Sequence, residues 1–316
     1  MVEVIYDGGF GNYLFQYCFG RILAEKLGYK LAAPPIPGFP RTYDLVAGLD
    51  FSAEKALTLR GQKPDLGLLA QAGINRHLLL TGYFQRSEYY GPHKPRIKEW
   101  LATDDNIEFE PRPADVVVSI RRGRDYIPRY GLPLSYYEKA LASLEYDRVF
   151  ICTNEPNDPF IRFLTKKYGA ILRGGSFQGG RKLPTYMAGA MDNYLFIKKF
   201  AKIIISNSSF PWWAAYMSDA TEIVFPRPVN GLWSPNDPHS KNISLEVDEA
   251  RYKYLPCEAY RSEFAAEIMR NVYDNALSGV KAGVRRLLPG MKNGPSPANA
   301  LSFGEPAGDD LRSFRG

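Results

Sequence analysis

Five residues, Val116-Val117-Val118-Ser119-Ile120, run directly into Arg121-Arg122-Gly123-Arg124-Asp125-Tyr126. A short β-branched run without polar alternation reads as a strand covered on both faces, the condition of strands in a parallel sheet. In open sheets of that kind ligands bind just beyond the carboxyl ends of the strands. Three guanidiniums at such an exit therefore point to a strongly anionic ligand.

The rest of the chain alternates in the same sense. Residues 2–7 read as a strand and the glycine-rich 8–12 as a turn. Residues 13–28 read as a helix with Leu14, Phe15, Cys18, Phe19, Ile22 and Leu23 on one stripe and Gly28 as its stop. A second strand follows at 29–34. Residues 34–65 are rich in Pro and Gly and read as loop, 77–84 as a strand and 86–102 as a helix. The sequence Glu-Pro-Arg-Pro-Ala-Asp at 110–115 reads as a linker. After it, strands are predicted at 114–121, 147–152, 168–172, 202–206 and 222–225, with helices at 135–144, 158–167, 186–200 and 209–218. Strand–helix alternation on both sides of a linker predicts two doubly wound α/β domains facing a cleft, at 1–110 and 111–260. A C-terminal helix is expected within 261–288, carried by an apolar face that includes Phe264, Ile268, Val272, Leu277 and Val280. Residues 289–316 are Pro-, Gly- and Ser-rich and read as a disordered tail.

Charge narrows the ligand. Residues 1–110 hold 12 basic against 13 acidic residues, a charge of −1, and the remainder 28 against 21, a charge of +7, which together give the net +6. A positive field over the second part favours an anion there. Nucleic acid is not expected, because there is no long Lys/Arg run and no zinc-finger spacing. Three widely spaced cysteines, Cys18, Cys152 and Cys257, argue against a disulfide framework and for a reducing, cytoplasmic setting. His77, His93 and His239 have no metal-ligand spacing, so no metal and no cofactor is expected. No signal peptide is expected from the opening residues, and no apolar run is long enough to span a membrane. Peripheral attachment to an anionic membrane through Lys281, Arg285 and Arg286 stands as a second reading of the C-terminal helix. The sequence carries no statement of oligomeric state.

Three segments are candidates for chemistry. Gly8, Gly9 and Gly11 have neither Walker nor dinucleotide spacing, but they allow close backbone approach, with Asn12 at the helix start or acting as its cap. Arg121 and Arg122 offer bidentate partners for phosphate, with Asp125 placed to orient an arginine. Ser206, Ser208 and Ser209 stand before a helix that opens with Phe210, where free N–H groups make a simple anion site or the serines merely cap. The pair Trp212 and Trp213 is expected to anchor that helix on the sheet. Asp192 either accepts from a base or caps its helix. Residues 82–91 put aromatic and polar groups at a strand exit and read as acceptor cleft or packing.

Taken in order, GGFGNYLFQYCFGRILAEKLGYKL, GYFQRSEYY, VVVSIRRGRDY, LPLSYYEKAL and DNYLFIKKFAKIIISNSSFPWWAAYMSD resemble the bacterial α-1,2-fucosyltransferase family, a family-11-like group of glycosyltransferases. More distantly they resemble the α-1,6- and protein O-fucosyltransferases. The resemblance covers residues 1 to about 235. It implies a GT-B fold, a GDP-fucose donor, a glycan acceptor held partly by the first domain, and an inverting reaction that needs no metal. By this resemblance Arg121 is similar to the arginine on the donor β-phosphate. Ser208, Ser209 and Phe210 resemble the nucleotide-phosphate turn, Asn12 the asparagine near the reacting sugar, and Asp192 a nucleotide-binding aspartate. Two positions depart from the pattern. Ser119 stands where a histidine on the nucleotide side is usual, and Arg124 interrupts the usual Arg-Arg-Gly-Asp-Tyr. These departures keep open a transferase with another nucleotide-sugar donor and a non-catalytic binder. Asp7, at the first strand's exit, is a candidate base by position.

Overall fold

The computed structural model describes residues 1–60, 63–103, 107–123, 126, 130–173, 185–238, 240 and 242–258. Arg124, Asp125, His239, the helix expected within 261–288 and the tail after it lie outside them. Both sheets described here belong to one unit, Met1–Ala266.

The first sheet contains β1 (Val2–Val4), β2 (Leu31–Ala32), β3 (Leu57–Leu59) and β4 (Leu78–Leu80) in the order β2-β1-β4-β3, all parallel. The second contains β5 (Val116–Ile120), β6 (Val149–Thr153), β7 (Ile171–Arg173), β8 (Lys202–Ile204), β9 (Glu222–Pro228) and β10 (Tyr252–Cys257). Its order is β10-β9-β8-β5-β6-β7, again all parallel. Every residue of β5 is buried, Ser119 included, as expected of a β-branched run covered on both faces. The chain runs outward from β5 to β7, then returns to the other side of β5 and runs outward to β10. The strand order therefore reverses between β5 and β8. This is the strand order of dinucleotide-binding sheets, in which ligands sit at the point of reversal.

Helices α1 (Phe10–Leu27), α2 (Leu66–Gln71), α3 (Ser87–Tyr90) and α4 (Lys94–Trp100) accompany the first sheet. Helices α5 (Leu134–Ala142), α6 (Pro159–Tyr168), α7 (Thr185–Lys198) and α8 (Ser209–Met217) connect strands of the second. The α/β class and the two parallel sheets match the alternation read from the sequence, while several boundaries differ. The strand expected at 2–7 ends at Val4, where the chain leaves the sheet toward a left-handed Gly8 (φ 85°). The helix expected at 13–28 begins earlier, at Phe10, with Gly9 as N-cap, so Asn12 lies inside the first turn and is not the cap. The helix expected at 86–102 is broken into α3, a 3₁₀ turn at Gly91–His93 and α4, because Pro92 and Pro95 cannot donate to the preceding turn. The segment read as loop contains β3, which is too short to show periodicity. Strand β10 goes beyond the sequence expectation. Its Pro256 is tolerated because β10 stands at the sheet edge.

One helix is buried on more sides than the predicted stripe allows. In α1, Gln16, Tyr17 and Ala24 are buried along with the expected apolar positions. A helix apolar on all sides is an interior helix. On one side, a Cβ on Gly20 would lie 2.4 Å from Val4 Cγ2, so α1 rests directly on the first sheet. On the other, the Phe15 ring meets Trp212 and Trp213 at centroid distances of 4.9 Å each. The tryptophans thus anchor α8 to α1, with Tyr90 beside them. A single buried apolar cluster includes residues of both sheets. Cys18, Cys152 and Cys257 are free and buried, and loss of solvent pushes their thiols up, the latter two to about 12.

α1 and α8 meet backbone to backbone at Gly11, where an added Cβ would fall 2.5 Å from the Phe210 backbone nitrogen and from the Ser209 carbonyl carbon. No side chain has room there. Gly11→Ala should therefore cost about 1–3 kcal/mol through overpacking, although alanine is the better helix former. Urea unfolding measures this, and a stabilised variant would contradict the close approach.

Candidate functional site

The contact at Gly11 brings two helix N-termini together. Gly11 is the second residue of α1, and Ser209 and Phe210 are the first two of α8. Each helix end carries roughly half a positive charge on its free N–H groups. Neither N-cap, Gly9 or Ser208, makes a side-chain capping bond, and neither first turn contains an acidic residue. Two uncompensated positive ends in contact favour an anion between or beside them. Just before α8, Ser206 is 1% exposed and its hydroxyl has no partner among the described residues. Phe10 meets Phe210 edge-on at 5.8 Å and closes the contact on its apolar side.

Arg121 stands next to this point. The register pairs Val118 with Ile204, which brings the β5 exit level with Asn207 on the β8 exit. Arg121 lies over the Tyr126 ring, 5.5 Å from its centroid. The Tyr126 hydroxyl donates to Asn207, at 2.7 Å to the carbonyl and 3.0 Å to Oδ1. Burial pushes the Tyr126 phenol up, so it stays a donor at working pH. Asn207 is fully buried and donates to the Tyr130 carbonyl at 2.9 Å. Arg121 and the α8 N-terminus are thereby tied to the two strands that flank the reversal.

Arg122 does something else. It is 3% exposed, and its Nε donates to Asp158 Oδ2 at 3.0 Å, with a second bond of 3.4 Å to Oδ1. Its guanidinium lies 4.6 Å from the Phe160 ring centroid. Asp158 is also the N-cap of α6, accepting from the Phe160 N–H. The Asn154 amide clamps the Arg122 backbone, accepting from its N–H at 2.9 Å and donating to its carbonyl at 2.6 Å. Expected to offer a bidentate partner for phosphate, Arg122 gives its Nε and one Nη to Asp158 within the fold. It is a structural arginine that fixes the β5 exit. Asp125, expected to orient an arginine, lies outside the described residues, and Arg122 is oriented by Asp158.

Other expected site residues divide similarly. Ser119 is buried within β5, in register with Cys152. Asp192 lies in the middle of α7, so it does not cap that helix, and its carbonyl accepts from Arg173. Gly8 leaves space for Asn12, whose Nδ2 would lie 2.1 Å from an added Cβ. Asn12 Oδ1 accepts from Gln85 Nε2 at 2.9 Å. Gly9 faces open space, whereas Gly11 uses its missing side chain for helix packing rather than for a ligand. Tyr83 and Gln85 fall in the strand exit already singled out at 82–91, whereas Gln16, Asn154, Asp158 and Asn207 give no signal in the sequence, because their partners are 32 to 81 residues away or reached through the backbone.

Two concavities elsewhere do not compete with this site. One of about 520 Å³ lies by the C-terminal ends of α4, α7 and α8, where Lys98 pairs with Asp219 and Lys199 with Glu110. The other, about 610 Å³, lies beyond β3 and is lined by Leu59, Arg60, Lys63, Leu68 and Asn242. Among the described residues no cluster of three potential metal ligands is present and no helix is long and apolar enough to cross a membrane.

No protein-family profile matches the chain, and no curated protein does. Among solved structures, a crystal structure of NodZ α-1,6-fucosyltransferase soaked with GDP-fucose is similar over 70% of this chain and 93% of that one. The identity is 14% and the TM-score 0.42. At that level the likeness assigns no activity, and the site is read from its own geometry.

The two arginines should separate in a stability measurement. Arg122→Ala leaves Asp158 without its partner in a nearly closed site and should cost about 3–5 kcal/mol. Arg121→Ala loses a ring contact with Tyr126 among the described residues and should cost less than about 1 kcal/mol. Equal urea midpoints for the two variants would contradict the division of roles.

Proposed function

We propose that the chain is an inverting, metal-independent glycosyltransferase of GT-B type that moves fucose from GDP-fucose to a sugar hydroxyl, with α-1,2 transfer to a galactoside as the specific reaction. The observation that carries this reading is the meeting of two uncapped helix N-termini beside Arg121, at the point where the order of the second sheet reverses. That arrangement fits a diphosphate, and the ordered motifs resemble those of enzymes whose donor is GDP-fucose.

In this reading the bond between fucose C1 and the β-phosphate oxygen breaks, and negative charge builds on the departing GDP. Arg121 offers a planar fork that matches phosphate, and it stays charged at any working pH. The free N–H groups of α8, with the hydroxyls of Ser206, Ser208 and Ser209, supply fixed dipoles. Such groups stabilise the leaving diphosphate more than the bound donor, which is what lowers the barrier. Asn12 has its carbonyl oxygen occupied by Gln85 and is left with its NH₂ to offer the sugar. The positive charge that a metal would bring is supplied here by Arg121 and the helix ends.

Ser119 favours a second reading, a transferase of this kind with a different base or sugar on its donor. A buried serine inside β5 replaces the imidazole usual on the nucleotide side. Asp192 as a base-binding residue belongs to the first reading.

Arg121→Lys keeps the charge but loses the fork. It should lower GDP-fucose turnover by about 10²–10³-fold with the fold unchanged by circular dichroism. Near-native turnover in this variant would remove Arg121 from the donor site.

A further inference from the structure

The first sheet carries a feature that the donor reading does not use. Val4 of β1 is in register with Leu80 of β4, and three residues beyond the end of each strand stand Asp7 and Tyr83. The Tyr83 hydroxyl donates to Asp7 Oδ2 at 2.7 Å. Asp7 is exposed and Tyr83 half-buried, yet both loops are tied from beneath by a buried side chain. Gln16, 1% exposed, accepts from the Asp7 N–H at 3.1 Å and donates to the Gly82 carbonyl at 3.2 Å.

The turn that presents Tyr83 is strained and locked. Phe84 has φ 51°, a left-handed backbone that a bulky residue rarely adopts. Its ring is stacked on Phe19 at 4.1 Å, and its carbonyl accepts from the Tyr90 hydroxyl at 2.6 Å. On either side of it, Tyr83 reaches Asp7 and Gln85 reaches Asn12. Strain of this kind persists only where the surroundings over-determine it, and it clusters at functional sites. Here it aims two side chains at the segment leading into the α1 N-terminus, the helix end that abuts α8. The hydrogen bond to Asp7 also pushes the Tyr83 phenol up to about 12, so it remains a donor across the working range.

We infer that Tyr83 is a positioning residue that pins one oxygen of the Asp7 carboxylate, leaving the other to receive the proton of the acceptor hydroxyl. The inference rests on the transferase reading. In the step it describes, the acceptor oxygen bonds to fucose C1 as the C1–O bond to the β-phosphate breaks. The bonding pair leaves on GDP, and the acceptor proton passes to the free Asp7 oxygen and from there to solvent. An exposed carboxylate rotates freely, so a fixed partner is what holds it in attacking geometry.

A double-mutant cycle in the full-length protein tests this, with GDP-fucose turnover measured both with lactose and by hydrolysis in its absence, and GDP affinity measured by calorimetry. Asp7→Asn should lower kcat by about 10²–10⁴-fold and leave GDP affinity within about twofold. Tyr83→Phe should lower kcat by up to about 10²-fold with unchanged GDP affinity and melting temperature. When Tyr83→Phe is added to Asp7→Asn it should have no further effect, because the carboxylate it acts through is gone. Full activity in Asp7→Asn, or equal losses from Tyr83→Phe with and without Asp7→Asn, overturns the inference while leaving the donor site intact. A wild-type protein that neither binds GDP nor consumes GDP-fucose overturns the transferase reading and this inference with it.

Discussion

The contact between α1 and α8 at Gly11 governs the rest of the molecule. Each helix follows the exit of a strand in a different sheet, so pressing their first turns together aligns the carboxyl edges of both sheets on one place. It also buries α1 from two directions and joins the apolar interiors of the two halves through Phe15, Tyr90, Trp212 and Trp213. Bringing two positive helix ends together is electrostatically unfavourable unless something negative compensates. Apolar packing holds the contact in place, and the charge deficit is what a diphosphate would offset.

Around that contact, chemically similar neighbours serve different ends. Arg121 and Arg122 are adjacent in sequence, but the pleat of a strand exit sends them to different places. Arg122 is enclosed by Asp158, Asn154 and Phe160 and fixes the backbone. Arg121 lies over the Tyr126 ring, and among the described residues its contact is the lighter one. The glycines divide likewise. Gly8 makes room for Asn12, Gly11 for a neighbouring helix, and Gly9 faces open space.

The sequence carried the class of fold because parallel strands and crossover helices leave strong local signals. The β-branched run of β5, the apolar α1 and the serine turn before α8 could all be read directly. What it hid depends on distance. Nothing in the order of residues says that Asn154 will clamp Arg122, or that Gln16, bonded to the Asp7 N–H, will also reach Gly82 66 residues away. The burial of α1 on several sides was missed for the same reason, since a stripe at helical spacing shows one face and not what covers the others. Strands β3 and β10 escaped through shortness and through Pro256, which weakens a strand pattern but is accepted at a sheet edge.

The central claim is that the paired helix ends and Arg121 hold the diphosphate of a guanine nucleotide sugar. Thermal shifts of the full-length protein with GDP-fucose, GDP, GDP-mannose, UDP-galactose and guanosine test it most directly, because a ligand selective for the native state raises its apparent stability by mass action. GDP and GDP-fucose should shift the melting temperature upward, and guanosine, which lacks the phosphates, should not. A shift with UDP-galactose alone, or an equal shift with guanosine and GDP, would contradict that claim.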